Sequence, residues 1–242
     1  MSVPIRRSQG LASAVVILLS VQAVTLGLRL LALSNRIKVA GQISRHEWVS
    51  QATADRADAW VGGAGGLWVL VFVATIVVWC VWQHRSHRAA RSLVTGMELS
   101  PGWAVGCWFV PIVNYFKPFQ AMAALWRASD GTPSWRQQAT WPVLGWWWAT
   151  WLGFNLLGSL QSATSGTDLD AIRRTDALGA VAVTLGVVSA VLAIRIVRQI
   201  ASRLEAAVLA AATSPGPAAP GWTPAAGLPH PPGPPLPPPP GR

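Results

Sequence analysis

The chain has 242 residues, of which 52% are hydrophobic and only 12% are charged, against roughly 25% charged residues in ordinary soluble domains. Its 19 Lys and Arg outnumber its 9 Asp and Glu, but they lie between long apolar runs rather than on one surface, which argues against a nucleic-acid partner. Its two cysteines lie inside apolar sequence and provide neither a disulfide framework nor a metal site. The composition therefore indicates an integral membrane protein.

Four segments are long and apolar enough to cross a bilayer, which takes about 20 residues in a helix. In the first, Arg29 lies close enough to the far interface for its side chain to reach it. The second and third carry no charge, and in the fourth Arg195 follows the uncharged run 177–194. The second begins and ends with tryptophan, a residue typical of both membrane interfaces. We predict four spans, over residues 11–33, 60–82, 141–160 and 177–197.

The first span has an alternative interpretation as a secretory signal peptide. Arg6 and Arg7 precede the apolar run, and residues 32–34 resemble a small-residue cleavage site. Signal peptides contain an apolar stretch of about 7–15 residues, however, and this run is longer. We therefore expect an uncleaved first helix that follows a short N-terminus, residues 1–10.

The orientation follows from the distribution of Lys and Arg, because cytoplasmic loops carry an excess of both. With four spans the two termini lie on the same side of the membrane. That side holds 12 basic residues, and the two opposite loops hold six, which are accompanied by acidic residues. The sequence therefore predicts a multi-pass protein of the cell membrane with cytoplasmic N- and C-termini.

A shorter apolar segment, residues 101–118, lies between the second and third spans. Pro101 can start a helix, whereas Pro111 removes a backbone donor and clashes with the preceding turn, so a helix here should kink or stop near Val110. Broken backbone at membrane depth is tolerated where protein or water surrounds it. We predict a re-entrant or interfacial half-helix. The alternative, a fifth crossing, would place the C-terminus outside and contradict the charge distribution.

The next segment, residues 119–129, has the pattern of a short amphipathic helix. Phe119, Met122 and Trp126 recur at helical spacing, and Asp130 and Gly131 then end the pattern. We predict a surface helix that lies on the membrane. The fold class expected from the sequence is thus all-α, with four transmembrane helices and a broken half-helix and a surface helix between the second and third.

This middle region resembles a known family. The likeness is carried by SPGWAVG at residues 100–106, WFVP at 108–111, Asn114, PFQAM at 118–122 and WRAS at 126–129, and it extends from Leu11 to Arg203. The region resembles an uncharacterised actinobacterial membrane-protein family, domain of unknown function 4328. The resemblance implies a multi-span domain and no activity. One departure is that Ala123 and Ala124 replace a charged pair of the family. The candidate functional motif comprises Pro101, Gly102, Trp103, Gly106, Trp108, Pro111, Asn114, Lys117, Pro118 and Trp126.

The sequence offers no constellation that carries out catalysis. It lacks a zinc-binding His-Glu-x-x-His helix, a Gly-x-Ser-x-Gly elbow and a phosphate loop. His84 and His87 share a helical face, but no third ligand lies nearby in the sequence, so a solvated juxtamembrane end is the better interpretation. Its basic residues, Arg85, Arg88 and Arg91, are expected to contact anionic headgroups. We expect no enzyme activity, no cofactor and no metal.

Five tryptophans form an unusual cluster at the third span: Trp141, Trp146, Trp147, Trp148 and Trp151. Three adjacent indoles point around a helix, so some must contact helices and others lipid. A cation–π cage for a quaternary ammonium ligand is an alternative. Two Gly-x-x-x-Gly patterns, beginning at Gly62 and Gly102, are consistent with close helix packing.

The tail, residues 213–242, has 13 prolines among 30 residues. Proline lacks a backbone donor, so we predict a disordered, partly polyproline II chain, which a proline-binding protein could recognise. The predicted function is a non-enzymatic membrane protein that associates with a partner or with a second copy of the chain. The alternative is a small carrier or channel that uses Pro111, Asn114 and Lys117. A cavity that reaches Asn114 would favour the carrier, and a dry bundle would favour association.

Overall fold

The computed structural model describes residues 3–164, 166 and 168–213, and all regular structure in this part of the chain is helical. The predicted all-α fold class is therefore confirmed. The predicted tail lies, beyond Thr213, outside the described residues. The helices are α1 (Val3–Ser44), α2 (Gln51–Leu93), α3 (Pro101–Gly106), α4 (Lys117–Ala128), α5 (Pro142–Ala163) and α6 (Leu169–Thr213), with 3-10 turns at Val113–Tyr115 and Trp135–Gln137.

Three of the described helices are long and apolar enough to cross a membrane: α1 over Gly10–Ser44, α2 and α6. They contain three of the four predicted spans, and α1 passes without interruption through residues 32–34. At 43 residues, α2 is about 65 Å long, roughly twice the thickness of the hydrocarbon core. The remaining predicted span, the third in chain order, corresponds to α5, which has 22 residues and no charge. Its tryptophans, glycines and polar residues give α5 a lower mean hydropathy than the apolar parts of α1, α2 and α6.

The long helices pack side by side. α1 contacts α2 and α6, and α5 contacts α6. Close approaches at glycine give the direction of α5: a Cβ added at Gly186 would lie 3.0 Å from the Phe154 ring, and one added at Gly153 would lie 2.8 Å from Leu185. Gly179 likewise lies against Gln161. As the residue number increases along α6, the number of the contacting residue in α5 decreases, so the two helices are antiparallel.

One end of the bundle is held by a buried ion pair, and we call it the Asp176 end. Arg36 of α1 donates from Nε and Nη2 to the two carboxylate oxygens of Asp176 in α6, at 2.7 and 2.5 Å. Asp176 is completely buried. Arg36 also lies 3.3 Å from the exposed carboxylate of Asp58 in α2. A bidentate pair of this kind fixes orientation as well as distance, so it sets the relative positions of α1 and α6.

The opposite end, which we call the Arg203 end, joins α4, α6 and the loop before α5. Arg203 of α6 lies 3.1 Å from Asp130, and its guanidinium lies 4.1 Å from the centre of the Trp126 ring. Trp126 in turn stacks on Trp141 at 4.9 Å. The chain reverses after α4 at Gly131, where φ is +73° and an added Cβ would lie 3.3 Å from Ala207. Glycine is required there because other residues rarely adopt this conformation.

The helix predicted on the membrane surface is observed as α4, but its apolar face contacts protein. Met122 and Leu125 are completely buried, and Phe119 packs against the same core. That core lies towards the Arg203 end and contains residues of α1, α2, α4, α5 and α6. The amphipathic pattern therefore predicts where the helix lies in the sequence but not what its apolar face contacts. A face that is buried in protein and a face that contacts lipid have the same spacing of apolar residues.

Candidate functional site

The segment between α2 and α5 is broken as predicted from Pro111. α3 has six residues and α4 has twelve, so neither approaches the length of about 20 residues that a crossing requires. The break contains a γ-turn, in which Val113 N–H donates to Pro111 O at 2.8 Å and Ile112 has φ +67°. A positive φ is strained for a β-branched residue. Strain of this kind persists only where the surroundings fix the backbone.

Those surroundings are organised by the side chain of Gln83, which is completely buried on α2. Its Oε1 accepts hydrogen bonds from the indole N–H groups of Trp79 and Trp108, each at 2.9 Å. Its Nε2 donates to Ala104 O at 2.9 Å. Ala104 lies in the last turn of α3, where helical carbonyls lack intrahelical donors. One amide therefore holds both α3 and the start of the break against α2.

His87, one turn further along α2, makes the equivalent contact with α4. Its Nε2 lies 3.2 Å from Ala121 O, its Nδ1 lies 3.1 Å from Gln83 O, and the ring is completely buried. A neutral imidazole carries one N–H, so it donates to one of these two carbonyls at a time. The two polar side chains on this face of α2 thus bind backbone oxygens of both short helices.

Trp108 is the centre of an aromatic cluster that joins the break to α2 and α5. Its ring centroid lies 6.2 Å from Trp79, 6.3 Å from Trp147 and 5.4 Å from Trp151, mostly in edge-to-face arrangements. Such arrangements are favourable because a positive ring edge meets a negative ring face. Trp148 stacks on Trp151 at 4.7 Å. The cluster confirms that indoles on α5 point both inward and outward, since Trp147 is buried and Trp146 is 69% exposed.

A cavity of about 300 Å³ lies beside this cluster, between α1, α2, α5, α6 and the break. This volume is about twice that of an apolar cavity that accommodates benzene. Aromatic rings of Phe72, Trp79, Trp108, Trp147, Trp151 and Phe154 form much of its wall, and no charged side chain of the described residues lines it. Cys80 also reaches the cavity.

Two polar atoms in the cavity wall have no partner. Gln22 Oε1 on α1 and Asn114 Oδ1 in the break are buried and accept no hydrogen bond. By contrast, the third amide in the wall, that of Asn155, donates to Trp151 O at 2.7 Å. An unpaired buried acceptor costs about 1–3 kcal/mol. The cavity therefore offers two hydrogen-bonding positions that a molecule inside it can satisfy.

The Arg203 end lies outside the long apolar runs and contains a titratable group with a shifted pKa. Partial burial raises the pKa of Asp130, but hydrogen bonds from Gln138 and Thr132 and the charge of Arg203 outweigh it. The net effect is a pKa below the ordinary value for aspartate. Gln138 also accepts from Arg203 at 3.2 Å, so these side chains form one closed network.

The structure brings part of the predicted motif to the cavity. Trp108 and Asn114 line it, and Trp126 contacts Arg203 instead. The remaining motif residues position the segment or lie at its surface: Ser100 caps α3 at Trp103, Pro118 is buried, and the exposed or partly exposed members are Pro101, Gly102, Trp103, Gly106, Pro111 and Lys117. In the aromatic cluster, Trp147 and Trp151 reach the cavity, whereas Trp141 does not line it.

Two predictions about contacts are wrong. At Gly62, Gly66 and Gly102 an added Cβ would meet nothing within 4 Å, and at Gly106 it would meet only Trp103 of the same helix. These glycines therefore do not mark a close helix approach. The juxtamembrane end is also not fully solvated, because Gln83, Ser86 and His87 are buried, although Arg85 and Arg88 are exposed. Arg91 donates to Met97 O and Leu99 O, so it supports the loop after α2.

A family model described as a domain of unknown function (DUF4328) matches residues 45–202, well over half of the chain. The match covers the loop after α1, all of α2 to α5 and most of α6, and so includes the break and most of the cavity wall. No curated protein and no solved structure matched the chain.

Replacing Gln83 tests the role of its amide. We expect Gln83→Leu to lower the free energy of unfolding by about 2–3 kcal/mol, because it leaves two indole donors without acceptors and leaves the Ala104 carbonyl with only the weak thiol donor of Cys107. The measurement is thermal unfolding of the purified chain in detergent. The matched control is Gln120→Leu on the exposed face of α4, which should change stability by less than about 0.5 kcal/mol. Equal losses in the two variants would contradict the assignment.

The lowered pKa of Asp130 gives a pH dependence. A carboxyl with a lowered folded-state pKa contributes stability above its ordinary pKa, and that contribution disappears as the pH falls through the folded-state value. We expect the melting temperature of the wild type to exceed that of Asp130→Asn at pH 7 and the difference to vanish on acidification below pH 4. Thermal melts across this range measure it. A constant difference between the two proteins would show that ionisation of Asp130 is not responsible.

Proposed function

The chain belongs to the family of domain of unknown function 4328, and we propose that this member is a multi-pass protein of the bacterial cell membrane whose helix bundle binds a small uncharged amphiphile. The observation that carries the proposal is the cavity, an aromatic-walled space with unpaired amide oxygens on Gln22 and Asn114. Ligand sites are typically apolar cavities with a few convergent polar groups.

The lining of the cavity indicates the chemistry of the ligand. In the part of the chain that the structure describes, no acidic or basic side chain reaches it, and transferring a charge into such surroundings without a partner is costly. The two unpaired oxygens accept hydrogen bonds, so the ligand needs an O–H or N–H group. A hydroxyl is the simplest match for an amide, because it both donates and accepts. We therefore favour an apolar, partly aromatic or alicyclic molecule with one or two hydroxyl groups.

This proposal favours the alternative of a carrier over association. A dry bundle was the condition that would favour association, whereas the cavity reaches Asn114, next to the strained turn at Ile112. The role is non-enzymatic: the chain binds and presents or transfers its ligand without altering it. Binding of anionic headgroups by Arg85 and Arg88, self-association of the chain and recognition of the proline-rich segment 214–242 by a partner stay proposals.

We further propose that α5 also crosses the membrane, as the third of four spans in chain order, and that the Arg203 end is cytoplasmic. α5 is antiparallel to α6 from Gly153 to Gln161, and it begins beside Trp126 at the Arg203 end. At 22 uncharged residues it is about 33 Å long, enough to cross the hydrocarbon core. The excess of Lys and Arg in the termini and in the loop between α2 and α5 supports a cytoplasmic location for that end.

Cysteine labelling in intact cells tests the four-span topology. With Cys80 and Cys107 replaced by alanine, single cysteines at Ser50, Ser92 and Thr164 are exposed to a membrane-impermeant maleimide. We expect Ser50→Cys and Thr164→Cys to react from outside and Ser92→Cys to react only after permeabilisation. If Thr164→Cys behaves like Ser92→Cys, α5 does not cross the membrane, and that part of the proposal fails.

The cavity proposal is tested by protection of Cys80, which lines the cavity, whereas Cys107 is completely buried. In a Cys107→Ala background we expect 2-naphthol to slow alkylation of Cys80 by N-ethylmaleimide several-fold, and naphthalene, which lacks the hydroxyl, to protect less. Gln22→Leu and Asn114→Leu should abolish the difference between the two probes, because each removes a hydrogen-bonding oxygen. The reaction is followed by mass spectrometry of the intact chain.

Filling the cavity provides the matched control. Ala190→Leu places a larger side chain in the cavity wall and should remove protection by 2-naphthol, whereas Ala74→Leu on the exposed face of α2 should leave it intact. Tetramethylammonium should give no protection, and protection by it would overturn the assignment of an uncharged ligand. If 2-naphthol protects Cys80 equally in Ala190→Leu, the cavity is not the binding site.

A further inference from the structure

Arg29 lies within an apolar stretch of α1, and no acidic side chain of the described residues pairs with it. It lies four residues before the end of the first predicted span, and its guanidinium carbon lies 5.4 Å from the centre of the Trp68 ring on α2. Arg36, two turns further along α1, holds two carboxylates, so the same helix contains one neutralised and one unneutralised arginine.

Two hydrogen-bond donors at this position lack acceptors. Arg29 Nε and Trp68 Nε1 are both buried, and neither has a partner. The contact between the guanidinium and the indole ring brings these two donors into one small region. An unpaired buried donor is costly, and more so on a charged group. The missing group is therefore an acceptor that carries negative charge.

Arg29 and Trp68 are each only partly buried as residues, and their neighbours Leu28 and Leu31 on α1 and Leu67 on α2 are exposed. By the rise of a helix, Arg29 lies roughly 6 Å from the end of its apolar run at the Asp176 end, a distance that a flexible arginine side chain can span. An anionic group can therefore reach the pair between α1 and α2 from the leaflet at the Asp176 end.

We propose that Arg29 and Trp68 form a binding site for a phosphate group, the headgroup phosphate of an anionic phospholipid or free phosphate. A guanidinium presents parallel N–H donors that match two phosphate oxygens, and the indole N–H adds a third donor. The guanidinium rests against the Trp68 ring, which itself stacks on Phe72 at 5.2 Å. The site does not depend on the cavity or on its ligand.

The test uses the full chain in a maltoside detergent, which carries no phosphate, with and without added phosphatidylglycerol. We expect phosphatidylglycerol to raise the melting temperature of the wild type by several degrees, because a ligand that binds only the folded state stabilises it. Arg29→Gln should lose this gain, and Trp68→Phe, which keeps a ring but removes the N–H, should retain part of it. The control Arg56→Gln removes an exposed arginine at the same end and should keep the full gain.

The arms of the experiment separate the sources of the phosphate. If inorganic phosphate added to the chain in the maltoside detergent reproduces the Arg29-dependent gain, free phosphate is the ligand; if it does not, the lipid headgroup is. Native mass spectrometry, which counts retained phosphatidylglycerol molecules, gives a second readout, and Arg29→Met, which is also uncharged, replaces Arg29→Gln if the latter fails to fold. A gain that is as large in the Arg29 variants as in the wild type, or absent from all of the proteins, overturns the site.

Discussion

The buried amide of Gln83 is the interaction on which the central part of the structure depends. A chain that breaks inside an apolar environment leaves backbone carbonyls without donors, and each of these must find a partner. Gln83 supplies a donor to Ala104, and His87 reaches Ala121 in α4. The oxygen of the same glutamine accepts from Trp108, so the break is held at both its backbone and its largest side chain.

The cavity is a consequence of that break. A continuous helix in place of residues 107–116 would continue the line of α3, whereas the turn at Ile112 directs Asn114 back towards the bundle. Trp108 then forms one wall, and Trp147 and Trp151 of α5 form another. Rigid aromatic rings cannot collapse into the remaining space as flexible aliphatic side chains can, so the volume between them persists. The same rings that bind the break to α5 thus keep the interior open.

Much of the fold follows from the sequence, because apolar length and proline position are local properties. They predict the cores of α1, α2 and α6, the break near Pro111 and a helix at residues 119–129. They do not predict which side chain meets which across the bundle. Gln83 and His87 occur beside four basic residues, so their pattern resembles a solvated end, although both are buried. Gln22 and Asn114 are isolated polar residues in the sequence. Only the packing of α1, α2, α5, α6 and the break shows that their side-chain oxygens have no hydrogen-bond donor.

The contact between Gln83 and Trp108 also constrains the order in which the chain is assembled. α2 is synthesised with two polar side chains, Gln83 and His87, that are buried in the folded protein. The carbonyl groups that they contact, those of Ala104 and Ala121, lie 21 and 34 residues later in the chain. α5, which packs against the other side of Trp108, follows later still. The short helices can therefore dock on α2 before α5 is complete. Until they do, α2 presents a polar face without its hydrogen-bond partners.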